Sequence, residues 1–381
     1  MAKKVLYVAT VVKTHIMQFH TPFLKMCKEL GWETAVAARN DYADPADCNI
    51  PFCDAYFDVP FRRNPLGKEN LSAYRRLKQI IQEGNYDIIH CHTPMGGVLT
   101  RLAARKARKQ GTKVIYTAHG FHFFKGAPIL NWLVYYPVEW LLAHLTDVLI
   151  TINREDDRLA RKHMHAKEVL YIPGVGVDTD RLSCGPEQAT KLREMLAIPE
   201  DAQVILSVGE VNKNKNHQAV IRGLARMKQK NVYYVVCGSG PLAGQLQELA
   251  KSLGIEDRVI FVGYHRGVAK YYAIADMFVF PSLREGLPIS LMEAMACNVP
   301  VVCSRVRGNT DLIEDGVSGL IVAQDIEAYT QAMDDLLTDS AKRARYVENA
   351  QMSLDKFKVE SVVSEMKKCY LSTMEETVAG L

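Results

Sequence analysis

The sequence predicts an α/β protein with two Rossmann-like domains, each built on a doubly wound parallel sheet. The length of 381 residues suits two domains of ordinary size. Short apolar runs alternate with amphipathic stretches, which is typical of parallel strands covered by helices. The alternation ends before residues 174–197, a segment with Gly, Pro and Asp, and then starts again. We therefore predict an N-terminal domain over 1–180 and a C-terminal domain over 181–358.

Each domain repeats the same order of predicted elements. In the first, the predicted strands are residues 5–12, 33–38, 86–90, 113–118, 148–152 and 169–172, and the helices are 21–30, 71–83 and 97–110. In the second, the predicted strands are 204–208, 233–237, 259–262, 277–280, 299–303 and 319–322. Residues 359–376 have a helical pattern with no strand after them. We expect 359–381 to cross back to the N-terminal domain.

Composition limits the function classes. The net charge is +4, and residues 1–180 hold 24 Lys/Arg against 18 Asp/Glu, which is too small an excess for a nucleic-acid surface. The nine cysteines include no CxxC pair and no signal peptide is evident, so we expect reduced thiols in the cytoplasm. No apolar stretch reaches the ~20 residues that span a bilayer.

The richest segment for function is 281–300. The predicted strand 277–280 leads into a loop with Glu285, Gly286 and Leu287, and a helix begins near Pro288. Glu293 lies in that helix, eight positions after Glu285. Two facing domains leave a cleft at the carboxyl edges of their sheets, where ligands of such folds bind. There the two carboxylates are suited to grip a ligand while the loop N–H groups hold an anion.

This segment resembles the E-x₇-E signature of the family-four retaining glycosyltransferases, which have the GT-B fold. The resemblance extends over nearly the whole chain, and residues 90–92 and 117–122 are similar to the capsule and exopolysaccharide branch. The motifs, in chain order, are His90-Cys-His92, Thr117-Ala-His-Gly-Phe-His122, Val208-Gly-Glu210, Val236-Cys-Gly-Ser-Gly-Pro241, Val259-Ile-Phe-Val-Gly263, Ala275-Asp276, Glu285 to Glu293, and Glu314-Asp-Gly-Val-Ser-Gly-Leu320.

The resemblance implies roles for individual residues. The implied catalytic residues are His119, Lys215 and Glu285, and the implied donor-binding residues are Gly209, Lys213, Tyr264, Gly286, Leu287 and Glu293. Glu293 would hold the ribose hydroxyls of the nucleotide, and Glu285 the hydroxyls of the donor sugar. Lys215 would neutralise the diphosphate, while His119 would lie near the anomeric carbon and the acceptor. The backbone at Tyr264 would meet the base.

Two positions depart from the family pattern. Glu210 stands where many relatives have Arg, so Lys213 is a candidate replacement for the missing cation. The first loop, residues 10–20, lacks the paired glycines of relatives and carries His15 and His20 instead.

We expect no metal cofactor, because the paired acids Asp156-Asp157 and Asp334-Asp335 lie in helical stretches away from the proposed loops, and Asp178-Thr-Asp180 lies in the predicted linker. The alternative is a metal site formed by His90, His92, His119 and His122. It is disfavoured, because no carboxylate joins these histidines at ligand spacing.

The predicted function is that of a metal-independent, retaining hexosyl- or N-acetylhexosaminyltransferase. It would transfer a sugar from an NDP-sugar, expected to be a UDP-sugar, to a saccharide or lipid-linked saccharide during synthesis of a cell-surface polysaccharide. One alternative is an epimerase or hydrolase of nucleotide sugars with the same fold. The other, suggested by Glu210, is a non-catalytic partner subunit of another transferase.

Two features favour a peripheral position at the inner face of the plasma membrane. The predicted helix around 99–113 aligns Arg101, Arg105, Arg108 and Lys109 on one face without an acid. The aromatic run 121–145 is too apolar for a simple surface and too polar to span a membrane. The alternatives are a solvated basic face and a buried aromatic core.

Overall fold

A computed structural model of the chain describes residues 2–65 and 67–375. The chain divides into two compact units, Met1–Gly176 with Val359–Leu381, and Val177–Lys358. Each unit contains one sheet in which every strand pairs in parallel, which confirms the predicted fold class. The sequence predicts the first boundary after residue 180, whereas the structural division falls after Gly176.

The sheet of the first unit has seven strands in the order β3-β2-β1-β4-β5-β6-β7. The strands are β1 Lys4–Val11, β2 Glu33–Arg39, β3 Ala55–Asp58, β4 Ile88–His92, β5 Lys113–Ala118, β6 Val148–Thr151 and β7 Glu168–Tyr171. Helices cover both faces of such a sheet, so most residues of its central strands are apolar. In β1 every residue after Lys4 is buried. The order reverses between β1 and β4, which defines a topological switch point.

Helices connect these strands. They are a π-helix at Val12–Ile16, then α1 Met17–Phe19, α2 Thr21–Glu29, α3 Glu69–Gly84, α4 Pro94–Ala103, α5 Arg105–Lys109, α6 Ile129–Ala143 and α7 Arg154–His163. The predicted single helix 97–110 is therefore two helices separated at Ala104. The sequence analysis did not predict the edge strand β3. All four of its residues are exposed or only partly buried, so its sequence has only a weak apolar pattern.

The sheet of the second unit has six strands in the order β10-β9-β8-β11-β12-β13, with its switch point between β8 and β11. The strands are β8 Gln203–Val208, β9 Val232–Cys237, β10 Val259–Gly263, β11 Met277–Phe280, β12 Val301–Ser304 and β13 Leu320–Val322. The helices are α8 Pro186–Met195, α9 His217–Arg226, α10 Ala243–Ser252, α11 Ala269–Ala273, α12 Ile289–Ala296, α13 Asn309–Leu312, α14 Ile326–Thr338 and α15 Ser340–Leu354.

The last described helix, α16 at Val359–Glu375, belongs to the first unit. Its Tyr370 is fully buried and donates a hydrogen bond to the hydroxyl of Tyr7 on β1, with an O–O distance of 2.7 Å. Tyr370 also stacks on Trp32 and lies 2.6 Å from Nδ1 of His90. The C-terminal helix is thereby tied to two central strands of the first sheet.

The prediction that Arg101, Arg105, Arg108 and Lys109 form one basic helical face without an acidic partner is wrong. Arg101 is 1% exposed, lies over the ring of Tyr116, and forms an ion pair with Glu139 at 2.8 Å. Arg108 makes two hydrogen bonds to the carboxylate of Asp147. Both acids lie at least 38 positions further along the chain, so no local pattern around 99–113 reveals them.

Replacement of Arg101 tests the buried ion pair. Arg101→Ala leaves the carboxylate of Glu139 buried without its cation, which we expect to cost about 3–5 kcal/mol of unfolding free energy. The melting temperature measured by calorimetry should then fall by about 6 °C or more. Arg105→Ala removes the same charge from an exposed position and should change stability by less than about 0.5 kcal/mol. Equal melting temperatures for the two variants would contradict the assignment.

Candidate active site

The loops after β8 and β11 meet at the switch point of the second sheet. β11 is followed by the loop 281–288, and β8 by Gly209 and the turn that leads to α9. Backbone bonds join the two loops: Leu283 N–H donates to Asn214 O at 2.8 Å, and the Asn214 side chain donates to Arg284 O at 3.1 Å. This edge is where open α/β sheets bind ligands, so the predicted donor residues lie where the fold favours binding.

Lys215 and Glu285 form an ion pair in which Nζ and Oε1 are 2.7 Å apart. Both side chains are largely buried, with 19% and 11% of their area exposed, and the ammonium lies over the ring of Phe280. Arg307 adds a second cation, since its Nε donates to the backbone carbonyl of Glu285. An ammonium group carries three donors, so Lys215 can hold an anionic ligand while it remains bonded to Glu285.

Gly209 makes room for the lysine. A Cβ atom at this position would lie 3.1 Å from Cε of Lys215, which is tighter than ordinary packing allows. A Cβ atom on Gly238 would in turn collide with the carbonyl oxygen of Gly209. The missing side chain of Gly209 therefore leaves room for Lys215, and the missing side chain of Gly238 lets the backbone of Gly209 approach.

Gly286 and Leu287 connect the ion pair to α12. Leu287 is buried, and a Cβ atom on Gly308, which has φ +78°, would lie 2.5 Å from the carbonyl oxygen of Gly286. Gly308, which lies four positions after the end of β12 and directly before α13, thus packs against the loop and holds its backbone in place. This contact was not predicted, because a single glycine beyond the signature gives no pattern.

Glu293 lies in the second turn of α12 and is partly buried. Its Oε2 lies 3.0 Å from the hydroxyl of Tyr272, whose single proton is shared between this carboxylate and Ser290 O at 2.8 Å. Burial raises the pKa of Glu293, and the bond from Tyr272 opposes that rise only in part. Tyr272 orients the carboxylate, a role that sequence reasoning missed.

Two other predicted donor residues are more exposed. Tyr264 directly follows β10, and 62% of its surface is exposed. Lys213 is exposed and lines a different cavity, of about 480 Å³, beside α9 and α10. Glu210 is exposed as well. The roles of Lys213 and Tyr264 in donor binding stay predictions.

His119 follows β5 in the first unit, and its Nε2 lies 3.3 Å from Nδ1 of His92. Burial lowers the pKa of His119 to about 4, so its imidazole is neutral at physiological pH. It lines a cavity of about 1130 Å³ whose other walls include residues of α3, α4 and α6.

The histidines group differently from the set weighed in the sequence. His90 lies between the hydroxyls of Tyr370 and Thr117, and His122 stacks on Tyr135. His15 and His20 instead join His92 and His119. The sequence signal for this grouping was the first loop, which has two histidines where relatives have paired glycines.

Comparison with known proteins identifies the class. Residues 188–353 match the family model described as "Glycosyl transferases group 1", and residues 23–175 match "Glycosyl transferase 4-like domain". The EpsD protein of Bacillus subtilis (strain 168), which is named as a glycosyltransferase, is 39% identical over 380 residues and covers 98% of both chains. UDP-Gal:alpha-D-GlcNAc-diphosphoundecaprenol alpha-1,3-galactosyltransferase of Escherichia coli is 25% identical, covering 91% of this chain and 88% of the relative.

Solved structures agree on the fold. Anabaena HepE, in complex with UDP and glucose, superposes with a TM-score of 0.80 at 20% identity, covering 97% of this chain and 100% of HepE. WaaG, a glycosyltransferase involved in lipopolysaccharide biosynthesis, has a TM-score of 0.75 at 19% identity, with 95% and 98% covered. The two sheets and the loop at the second switch point define a GT-B glycosyltransferase. The chain belongs to the group 1, family-four glycosyltransferases.

The contact between Gly308 and the loop can be tested with two alanine variants. Gly308→Ala and Gly316→Ala both place a side chain at positive φ, which costs roughly 1–2 kcal/mol in each case. Only the first also pushes on Gly286, because the space around Gly316 is open. We expect turnover to fall about a hundredfold in Gly308→Ala and to stay near wild type in Gly316→Ala. Equal turnover in the two variants would contradict the role of this contact.

Proposed function

We propose that the chain is a retaining glycosyltransferase that transfers a hexosyl or N-acetylhexosaminyl group from a UDP-sugar to a lipid-linked saccharide. The observation that carries this proposal is the buried Lys215–Glu285 pair at the second switch point, with Glu293 on the helix that follows. The names of relatives support the substrates: the E. coli relative is named for UDP-galactose and a diphosphoundecaprenol acceptor. HepE was crystallised with UDP. We also propose a place in exopolysaccharide or capsule synthesis, on the similarity of residues 90–92 and 117–122 to that branch of the family.

On the donor side, each residue has a distinct task. Glu293 accepts hydrogen bonds from the ribose hydroxyls, and Tyr272 holds its carboxylate in position. Lys215 stabilises the negative charge that develops on the departing diphosphate, where a preorganised cation is most effective. Glu285 orients Lys215 and contacts hydroxyls of the sugar, while the N–H groups of Gly286 and Leu287 bind oxygens of the donor.

On the reacting carbon, we propose a front-face mechanism with retention. The leaving phosphate oxygen takes the proton of the acceptor hydroxyl as the new glycosidic bond forms on the same face. Glu285 is bonded to Lys215, which favours a positioning role over that of a nucleophile. His119, neutral because of its lowered pKa, is suited to donate or accept a hydrogen bond near the anomeric carbon.

We propose that the diphosphate needs no divalent metal ion, because protein cations replace it. Lys215 has the main role, and the Arg307 guanidinium binds the backbone of the same loop. Lys213 is assigned a smaller part, since it is exposed and faces another cavity.

A donor panel tests this function. We expect the purified chain, in excess EDTA, to transfer sugar from a UDP-sugar but not from GDP- or ADP-sugars to a polyprenyl-diphosphate saccharide. Lys215→Ala should lower kcat/KM by more than about tenfold, as loss of a charged hydrogen bond costs about 1.5–3 kcal/mol. Lys213→Ala is the matched control and should lower kcat/KM less.

Three outcomes would contradict the proposal. Epimerised or hydrolysed donor without any need for acceptor indicates the alternative enzyme of the same fold. No turnover of any donor indicates a non-catalytic partner subunit. Activity lost in EDTA and restored by Mn²⁺ or Mg²⁺ indicates a metal on the diphosphate.

The cavity of the first unit supports a lipid-linked acceptor. His119 lies in its wall, and most of the other walls are apolar. The apolar lining includes Leu71, Met95, Val98, Leu99, Leu102 and Val138. Such a lining suits the first isoprene units of a polyprenyl chain, with the attached saccharide directed towards His119.

The surface beside this cavity supports contact with a membrane. No helix within residues 2–65 and 67–375 is both long enough and apolar enough to cross a bilayer. Helix α6, however, exposes 77% of Ile129, 67% of Leu130 and 69% of Leu133. Arg108 of α5 donates to His144 O just beyond the end of α6, so the exposed basic residues of α5 lie near it. We propose that α6 rests in the cytoplasmic face of the plasma membrane.

Vesicle flotation tests the membrane contact. We expect wild type to bind vesicles with anionic lipid at low salt, because each nearby basic side chain contributes about 1 kcal/mol and α6 buries apolar surface. Leu130→Glu with Leu133→Glu should abolish flotation. Met195→Glu changes a residue that is 80% exposed on α8 and should leave flotation unchanged. Wild-type protein that stays unbound at low salt would overturn the proposal.

A further inference from the structure

Four histidines of the first unit converge at the carboxyl edge of its sheet. His15 lies in the π-helix after β1, and His20 precedes α2. His92 is the last residue of β4, and His119 follows β5. β1 and β4 are the strands at the switch point, and β5 is the next strand, so the fold alone brings these loops together.

The ring nitrogens of this histidine cluster lie close enough together to be candidate ligands of one ion. One ring nitrogen from each of the four lies within 4.8 Å of the others. The rings of His20 and His92 stack with centroids 3.8 Å apart, and the His15 ring is 5.1 Å from that of His119. Tetrahedral coordination with Zn–N bonds of about 2.0–2.1 Å needs nitrogens roughly 3.4 Å apart. Because the present separations reach up to 4.8 Å, the rings must turn and draw their nitrogens together when the ion binds.

The cluster leaves buried nitrogens without partners. Among the described residues, Nε2 of His15, both ring nitrogens of His20, and Nε2 of His92 are buried and form no hydrogen bond within the protein. His20 and His92 are 0% and 1% exposed. Unpaired polar atoms are costly in a protein interior, so a bound species is needed to satisfy them.

We propose that His15, His20, His92 and His119 form a binding site for one divalent transition-metal ion of the zinc class. An all-imidazole set suits Zn²⁺, Co²⁺, Ni²⁺ or Cu²⁺, whereas Mg²⁺ and Mn²⁺ prefer oxygen ligands. The site is thus chemically distinct from any diphosphate-bound metal, and it goes beyond the proposed transfer reaction. Because His15 and His119 also line the large cavity, the bound ion adds positive charge to the wall of the proposed acceptor site.

Metal binding is measured without reference to activity. The full chain is purified without a histidine tag, stripped of metal and titrated with Co²⁺, then with Zn²⁺ against a chromophoric chelator. We expect one equivalent per chain, and a Co²⁺ visible absorption typical of a four-coordinate nitrogen site that Zn²⁺ abolishes. His20→Ala should weaken Zn²⁺ binding by more than about tenfold, since loss of even an outer-shell partner costs that much.

Two further variants keep the test decisive. His15→Ala removes a ligand from a partly exposed turn and serves if His20→Ala does not fold. His122→Ala is the matched control, because His122 lines the same cavity but lies outside the cluster. Wild type that binds no stoichiometric Co²⁺ or Zn²⁺ would overturn the proposal and leave water to satisfy the rings. Equal loss of binding in His122→Ala would overturn the assignment of these four ligands.

Discussion

The parallel pairing of the strands is the constraint on which both candidate sites depend. Parallel strands direct all their carboxyl ends to one edge, and the order reverses between β1 and β4 in one unit and between β8 and β11 in the other. At each reversal the following loops diverge to opposite faces and leave a crevice. Glu285 and Lys215 are 70 positions apart, yet this arrangement places their charges 2.7 Å from each other. The residues in the loops at each switch point therefore determine which ligands that unit can bind.

In the second unit, charge pairing keeps the site ready for an anion. A single buried charge is costly, whereas the ammonium of Lys215 and the carboxylate of Glu285 lie 2.7 Å apart and compensate each other. Lys215 packs its ammonium over the ring of Phe280, and Gly209 leaves room for its side chain. Glu293 differs, because its side-chain partner among the described residues is the hydroxyl of Tyr272, and burial raises its pKa. It is thus a carboxylate with spare acceptor capacity, which matches hydroxyl binding better than cation binding.

Local patterns predicted what depends on neighbours in sequence. The apolar runs located twelve of the strands, and the spacing from Glu285 to Glu293 placed a loop and helix where α12 begins at Ile289. Contacts between distant segments could not be predicted from local patterns. Arg101 was assigned to an exposed basic face because its partner Glu139 lies on another helix. The histidine cluster was half predicted, since His92 and His119 stood in motifs, whereas the π-helix that brings in His15 has no simple sequence signal.

Ligand chemistry separates the two sites. In the second unit the groups at the candidate donor site are an ammonium, a guanidinium and carboxylates, which recognise phosphate and hydroxyl oxygens by charge and hydrogen bonding. In the first unit the histidine cluster contains nitrogen donors alone, and the nearby cavity wall is largely apolar. A hard cation that bridges phosphates prefers oxygen ligands to imidazoles. Among the described residues, those around Lys215 and Glu285 form no set of nitrogen ligands for a transition metal. A donor site that needs no metal is therefore compatible with a zinc-class ion elsewhere in the same chain, because the two sites use different ligand atoms.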